Sequence, residues 1–325
     1  MSNLEKILSA SRIKTLETCS WSYWCNYHLK VPQRSNSGAM RGTVCHLVFE
    51  LLLKKRHLHH YKKILKYNGL EGSPAVDRLI KKHLKKDGIL DDGESYELCD
   101  AMIVVGLQND FIGEGGKMEG VEERFLLENE EPEYKVMGFI DKLIKYTKGK
   151  VKIVDYKSSK YKFRGEELDS NIQAMVYTLA AKRKYPKAKE VLVEFLFLRF
   201  PRRPAQQIHV TEEQLRGFEY YMEHVFKVIN SFTEQDAKTN FAESNPKVRW
   251  MCKAGKTWRC PYLDPVDYYA LLNEEGNVIK SAFKKSDLSA KPNEKIKKMK
   301  YEGCPAHPSE PKLGATAVIE DDFDF

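Results

Sequence analysis

At 325 residues, 42% hydrophobic and 31% charged, the chain is long enough for one large domain or two modest ones. No uncharged apolar run approaches the roughly 20 residues that cross a bilayer. Residues 1–11 carry Glu5 and Lys6 where a secretory signal would be apolar, so a cytoplasmic, reducing setting is expected. The net charge of +8 suits a polyanionic partner, because lysines that neutralise phosphates release counterions. Each lysine run by itself reads first as a solvated helix face.

Residues 4–30 read as helical, with Trp21, Tyr23, Trp24 and Tyr27 interleaved. A glycine-bounded loop at 38–42 opens an apolar helix from about Thr43 to Lys55. Two basic runs, 54–66 and 78–86, and further helical patterns broken by Gly69, Gly72, Gly88 and Gly93 make 54–112 a helical insertion. After Gly113 the pattern turns to strands: 122–128, then 134–146 and 151–157 as the two arms of a hairpin about Thr147-Lys-Gly-Lys150. An amphipathic helix at 171–185 and a buried strand at 190–200 follow. A helix from Thr211 to about Gln235 opens on a capping box, Thr211-Glu-Glu-Gln214. This order predicts an α/β fold, a mixed sheet flanked by helices. Beyond Asn240 the pattern fades into loops that hold Cys252, Cys260 and Cys304. The expected division is a core at 1–240, a cysteine-bearing extension packing on it at 241–310, and an acidic aromatic tail at 311–325.

Asp155 and Lys157 are two apart on a strand and therefore share a face. Asp141 lies on the partner arm, within cross-strand reach. Two carboxylates facing one pocket repel unless a cation lies between them, and hard oxygen ligands suit Mg²⁺ or Mn²⁺. Hydrolysis of a phosphodiester uses such a site, with Lys157 orienting the attacking water or stabilising developing charge. An Asp-x-Lys triplet alone is common in so charged a chain and also fits an exposed salt bridge. The flanking segments decide between the two.

Those segments are Ser11-Arg-Ile-Lys-Thr-Leu-Glu-Thr-Cys19, Arg41-Gly-Thr-Val-Cys-His46, Gly138-Phe-Ile-Asp141, Ile153-Val-Asp-Tyr-Lys-Ser158 and Gln173-Ala-Met-Val-Tyr177. In this order, from about residue 9 to 262, the chain resembles the RecB-type branch of the PD-(D/E)XK nucleases. That branch includes RecB and AddB nuclease domains, CRISPR-associated RecB-like exonucleases and phage exonucleases. The resemblance implies a PD-(D/E)XK core and metal-dependent DNA hydrolysis, exonucleolytic on single strands or ends. The alternatives are a structure-specific endonuclease and a silent nucleic-acid-binding subunit. It implies His46, Asp141, Asp155 and the Tyr156 carbonyl as metal ligands, and Lys157 as the catalytic lysine. Gln173 and Tyr177, four apart on one helix face, would sit near the scissile phosphate, and Glu123 would be a supporting acid. Arg41 is expected at the nucleic acid.

Many members of this branch hold a [4Fe–4S] cluster on one cysteine before the core and three after it. Cys19, Cys252 and Cys260 match that pattern. The final cysteine, however, is displaced to Cys304, where the family places it a few residues after Cys260-Pro. Thiolates suit iron–sulfur or zinc, so three readings stand: a cluster on Cys19, Cys252, Cys260 and Cys304; zinc on Cys252, Cys260, Cys304 and His307; or no metal. In the segment 158–165, Lys160, Lys162 and Arg164 alternate with Tyr161 and Phe163, as a loop would that binds phosphates and stacks on bases. The tail, Ile319-Glu-Asp-Asp-Phe-Asp-Phe325, reads as a docking peptide for a replication or recombination protein, as a shield over the chain's own DNA groove, or as a solubilising appendage.

Overall fold

A computed structural model describes residues 7–34, 36–252 and 260–307; the acidic tail lies outside the described residues. The helical first part holds α1 (Ala10–Thr18), α2 (Ser20–Tyr27), α3 (Ser37–Leu53), α4 (Leu58–Tyr67), α5 (Pro74–Lys86) and α6 (Ser95–Gln108). Next come β1 (Gly116–Glu130), β2 (Glu133–Tyr146), β3 (Lys150–Lys157), α7 (Glu166–Asp169), α8 (Ile172–Lys184), β4 (Glu190–Phe197), β5 (Ala205–Ile208) and α9 (Glu212–Ser231). The chain closes with α10 (Glu234–Ala237), β6 (Val266–Leu272), β7 (Val278–Ala282) and β8 (Lys295–Tyr301). These elements fall into two units, which among the described residues are 7–11 with 36–230, and 12–34 with 231–307.

The first unit is built on a sheet of order β1-β2-β3-β4-β5. Only β3 and β4 pair in parallel, with Asp155 opposite Phe195; the other pairs are antiparallel. The helix α8 between β3 and β4 makes the crossover that a parallel pair requires. β4 is buried on both faces, as its near-continuous apolar run predicts. Beneath β3 lies an apolar core in which Val44, Phe49, Met102, Phe111, Tyr156 and Leu196 pack together. The Phe49 ring stacks 4.3 Å from that of Tyr156, which ties α3 to the strand that bears Asp155. Gly106 of α6 allows this, since a Cβ there would lie 2.3 Å from the Phe49 ring. Lys142 is fully buried in the same layer. It donates to the carbonyls of Asp110 (3.0 Å) and Phe111 (3.3 Å), and burial pushes its pKa down to about 8.

The second unit departs from expectation in two ways. Residues 12–34 and 231–240 belong to it, not to the first unit. Ser20 N–H donates to Asn240 O at 2.8 Å, Trp21 Nε1 to Tyr301 Oη at 2.7 Å, and the Tyr23 ring meets Phe232 at 5.2 Å. The stretch read as loops beyond residue 240 also contains a three-stranded antiparallel sheet, β7-β6-β8. Its lysines hid it. Lys295, Lys297, Lys298 and Lys300 are exposed on β8 while Tyr301 is buried, so this strand has a solvated face and few apolar residues. No helix among the described residues is long and apolar enough to cross a membrane.

Candidate active site

The centre forms where β2 and β3 run side by side and two helices, α3 and α8, meet their ends. Pairing of Lys142 with Val154 sets Asp141 and Asp155 as neighbours across the two strands. Gly42 brings α3 close: a Cβ there would fall 2.7 Å from Ser158 Oγ. One turn further on, His46 then reaches β3, and its Nε2 lies 3.0 Å from the carbonyl of Tyr156.

Asp141 is 8% exposed. Its Oδ2 accepts the Tyr156 N–H at 2.8 Å and stands 3.3 Å from His46 Nδ1. Burial raises the Asp141 pKa and the charge of Asp155 adds to the rise, while His46 and the Tyr156 N–H oppose it. Asp141 is thus a desolvated carboxylate beside a second acid, a position that positive charge favours. Burial alone would lower the His46 pKa, but Asp141 and Glu122 outweigh it and push the value up to about 10. Both ring nitrogens thus face acceptors. Asp155 is 3% exposed. Its Oδ1 accepts Gln173 Nε2 at 2.7 Å and lies 2.8 Å from the Tyr177 hydroxyl, and its Oδ2 pairs with Lys157 Nζ at 2.6 Å. Lys157 also donates to Gln173 Oε1 at 2.7 Å, which fixes the amide's orientation and the ammonium's position together. The Tyr177 hydroxyl lies 2.8 Å from Phe139 O, anchoring α8 to β2.

The ligand atoms of His46, Glu122 and Asp141 all lie within 4.8 Å of one another. Add the Tyr156 carbonyl and the neighbouring Asp155, and the set is rich in oxygen with one imidazole. Such donors fit a hard divalent cation such as Mg²⁺ or Mn²⁺.

The structure replaces two expected residues. The acid at the centre is Glu122, with Oε1 3.7 Å from His46 Nδ1, whereas Glu123 pairs with Lys184. Glu122 has φ 48°, a left-handed conformation that regular strand alternation does not foresee. Glu122→Gln should weaken Mn²⁺ binding about 10–100-fold in calorimetric titration. Glu123→Gln should leave it unchanged, and equal losses in the two variants would reject the distinction. Arg41, expected at nucleic acid, is 4% exposed. Its guanidinium is occupied by Glu94 at 3.2 Å and Ser95 at 2.8 Å, so it holds α6 against α3 instead.

In the loop after β3, Lys160, Tyr161 and Arg164 are exposed. Phe163 is not available for stacking on bases, because its ring packs against Phe195 at 4.9 Å and Phe197 at 5.2 Å. Lys162 bends back over the Phe200 ring at 5.2 Å and bonds the Arg203 carbonyl.

In the second unit Cys19, Cys252, Cys260 and Cys304 lie near one another. Burial raises the thiol pKa values of Cys252 and Cys260 to about 11, and neighbouring thiolates, Cys19 and Cys304 among them, add to the rise. Cys19 caps α2, its Sγ accepting the Ser22 N–H at 3.4 Å. A tetrahedral zinc with Zn–S bonds of about 2.3 Å would draw its sulfurs to roughly 3.8 Å. Among the described residues, Cys252 shares a group with Glu243 and His307 whose ligand atoms all lie within 4.8 Å of one another.

The first unit is thus an α/β fold whose mixed sheet presents paired carboxylates and a lysine at the meeting of β2 and β3. The family profile of the PD-(D/E)XK nuclease superfamily matches residues 7–264, and the chain belongs to that superfamily. This bears out the resemblance drawn from its motifs. The chain is 26% identical over 177 residues to one of the subunits of the ATP-dependent helicase/deoxyribonuclease of Streptococcus agalactiae, in serotypes Ia, V and III. The match covers 53% of this chain and only 16% of the length of those relatives. A solved structure from Eubacterium rectale, provisionally described as an exonuclease, aligns with a TM-score of 0.47 at 14% identity, covering 77% of this chain and 90% of that one.

Proposed function

We propose that the protein is a Mg²⁺- or Mn²⁺-dependent deoxyribonuclease, an exonuclease acting on single strands or DNA ends in replication, recombination or repair. The observation that carries this reading is the joined network of Asp155, Lys157, Gln173 and Tyr177 beside Asp141 and His46. Asp141, Asp155, the Tyr156 carbonyl and His46 would hold the cation, with Glu122 beside Asp141 at His46 Nδ1. When bound, such an ion offsets charge on the phosphoryl oxygens and lowers the pKa of a water. Lys157, held between Asp155 and Gln173, is placed to stabilise negative charge on the phosphate or to orient the water. The Tyr177 hydroxyl, beside the inner oxygen of Asp155, keeps that carboxylate turned toward the site. Lys160 and Arg164 offer cations for the phosphates of the strand, and the exposed Tyr161 a face for one base. DNA as substrate is supported by the deoxyribonuclease relatives. Linear single strands should be degraded from an end while the same strand closed into a circle survives; nicking of the circle at a comparable rate would make the enzyme an endonuclease.

For the cysteines we infer a [4Fe–4S] cluster on Cys19, Cys252, Cys260 and Cys304, closing the second unit. Anaerobically purified protein should be brown and absorb near ~400 nm. Cys304→Ser should bleach it and lower its thermal stability. Colourless wild-type protein without iron would reject the cluster.

A further inference from the structure

The segment 54–86 carries eleven lysines and arginines against Glu71 and Asp77, a net charge of +9 that exceeds the +8 of the entire chain. It forms α4 and α5, which meet the end of α3 around an open pocket. Its walls are aliphatic: Val48, Leu51 and Leu52 from α3, and Ala75, Val76 and Leu79 from α5. His57 and His60 stand at the side given by α4, and His60 is steadied by Ser73 Oγ at 2.7 Å from its Nδ1. The cavity volume is about 180 Å³, smaller than the roughly 300 Å³ at which small-molecule sites begin and suited to a single large side chain.

The cations around it lack partners. Lys55 and Arg56 precede His57, Lys63 follows His60 by one helical turn, and Arg78 and Lys82 flank Leu79. All five are exposed, and none forms a salt bridge among the described residues. The nearby acids Glu50 and Asp77 are already taken by Lys54 at 2.7 Å and Lys81 at 3.0 Å. An apolar cleft ringed by unpaired cations is complementary to an acidic chain that carries a large apolar side chain. Charge steers such a partner and apolar burial holds it. Nucleic acid matches the rim but not the floor: bases stack on aromatic or guanidinium faces, and the six walls are aliphatic.

We propose that this pocket docks an acidic peptide bearing a phenylalanine or a comparable apolar side chain, seated between α3 and α5. The site lies apart from the residues assigned to catalysis, so the proposal stands whether or not the nuclease reading does. The probe is a fluorescent peptide with the sequence of residues 319–325, which joins four carboxylates to two phenylalanines. Its anisotropy is followed on the full chain at about 0.15 M salt, where diffuse charge attraction is screened beyond about 8 Å. Saturable binding is expected, weakened about tenfold or more when both phenylalanines become alanine. The exposed Ala75 and Lys82 give two variants, Ala75→Glu and Lys82→Glu, that should each weaken binding while nuclease turnover and the circular dichroism spectrum stay unchanged. Insensitivity to the phenylalanines would reduce the effect to charge alone and overturn the proposal. Displacement of the peptide by an unlabelled single-stranded oligonucleotide, with loss of oligonucleotide binding in Lys82→Glu but not in Ala75→Glu, would make the lobe a nucleic-acid surface instead. An absence of saturable binding would also overturn it.

Discussion

Asp155→Asn and Lys157→Ala should each lower turnover by roughly 10²–10³-fold, the range seen when one preorganised charge is removed from a transition state. The two side chains form one unit: Lys157 Nζ is 2.6 Å from Asp155 Oδ2, and Gln173 bonds both. Losses should therefore not add, and the double variant should be little worse than either single one. Folding should survive in Lys157→Ala, because the lysine is only partly buried and its ammonium, over the Phe195 ring at 5.2 Å, is not part of the apolar core. Affinity for DNA in the presence of Ca²⁺ should stay within a few-fold of wild type, since phosphate contacts on the exposed loop are untouched. Near-normal turnover in both variants would remove these residues from catalysis.

His46→Ala should act through the metal. Its ring joins the Tyr156 carbonyl, Asp141 and Glu122, so removal takes away one donor and the group that orders two carboxylates. The concentration of Mn²⁺ giving half-maximal activity should rise about 10–100-fold, with much of the turnover recovered at saturating metal. A loss of turnover that excess metal does not repair would assign His46 a different role. Unchanged metal dependence would exclude it as a ligand.

The hairpin and the placement of its candidate site residues were legible because strand geometry is strict. Alternation across 134–157 fixes which side chains share a face, and Asp155 and Lys157 had no freedom to separate. The five ordered motifs then carried the family, including His46, which by itself would pass for a core histidine. Glu122 was not legible, because its position follows from one left-handed residue inside β1 and adjacent glutamates look interchangeable in the sequence. Arg41 misled for a related reason: its partners Glu94 and Ser95 are more than fifty residues away, and nothing local shows that the guanidinium is buried. Strand β8 was hidden by the lysines on its solvated face. The assignment of 12–34 to the second unit rests on long-range pairs such as Trp21 with Tyr301, which no local pattern records.

The most direct test of the central claim is the release of label from end-labelled linear single-stranded DNA by purified wild-type protein with Mg²⁺, Mn²⁺ or EDTA, beside Asp155→Asn. Rapid release with either cation, none with EDTA, and at least a hundredfold less with Asp155→Asn is the predicted result. Cleavage that persists in EDTA, or that Asp155→Asn carries out as fast as wild type, would contradict a metal-dependent nuclease centred on Asp141, Asp155 and Lys157.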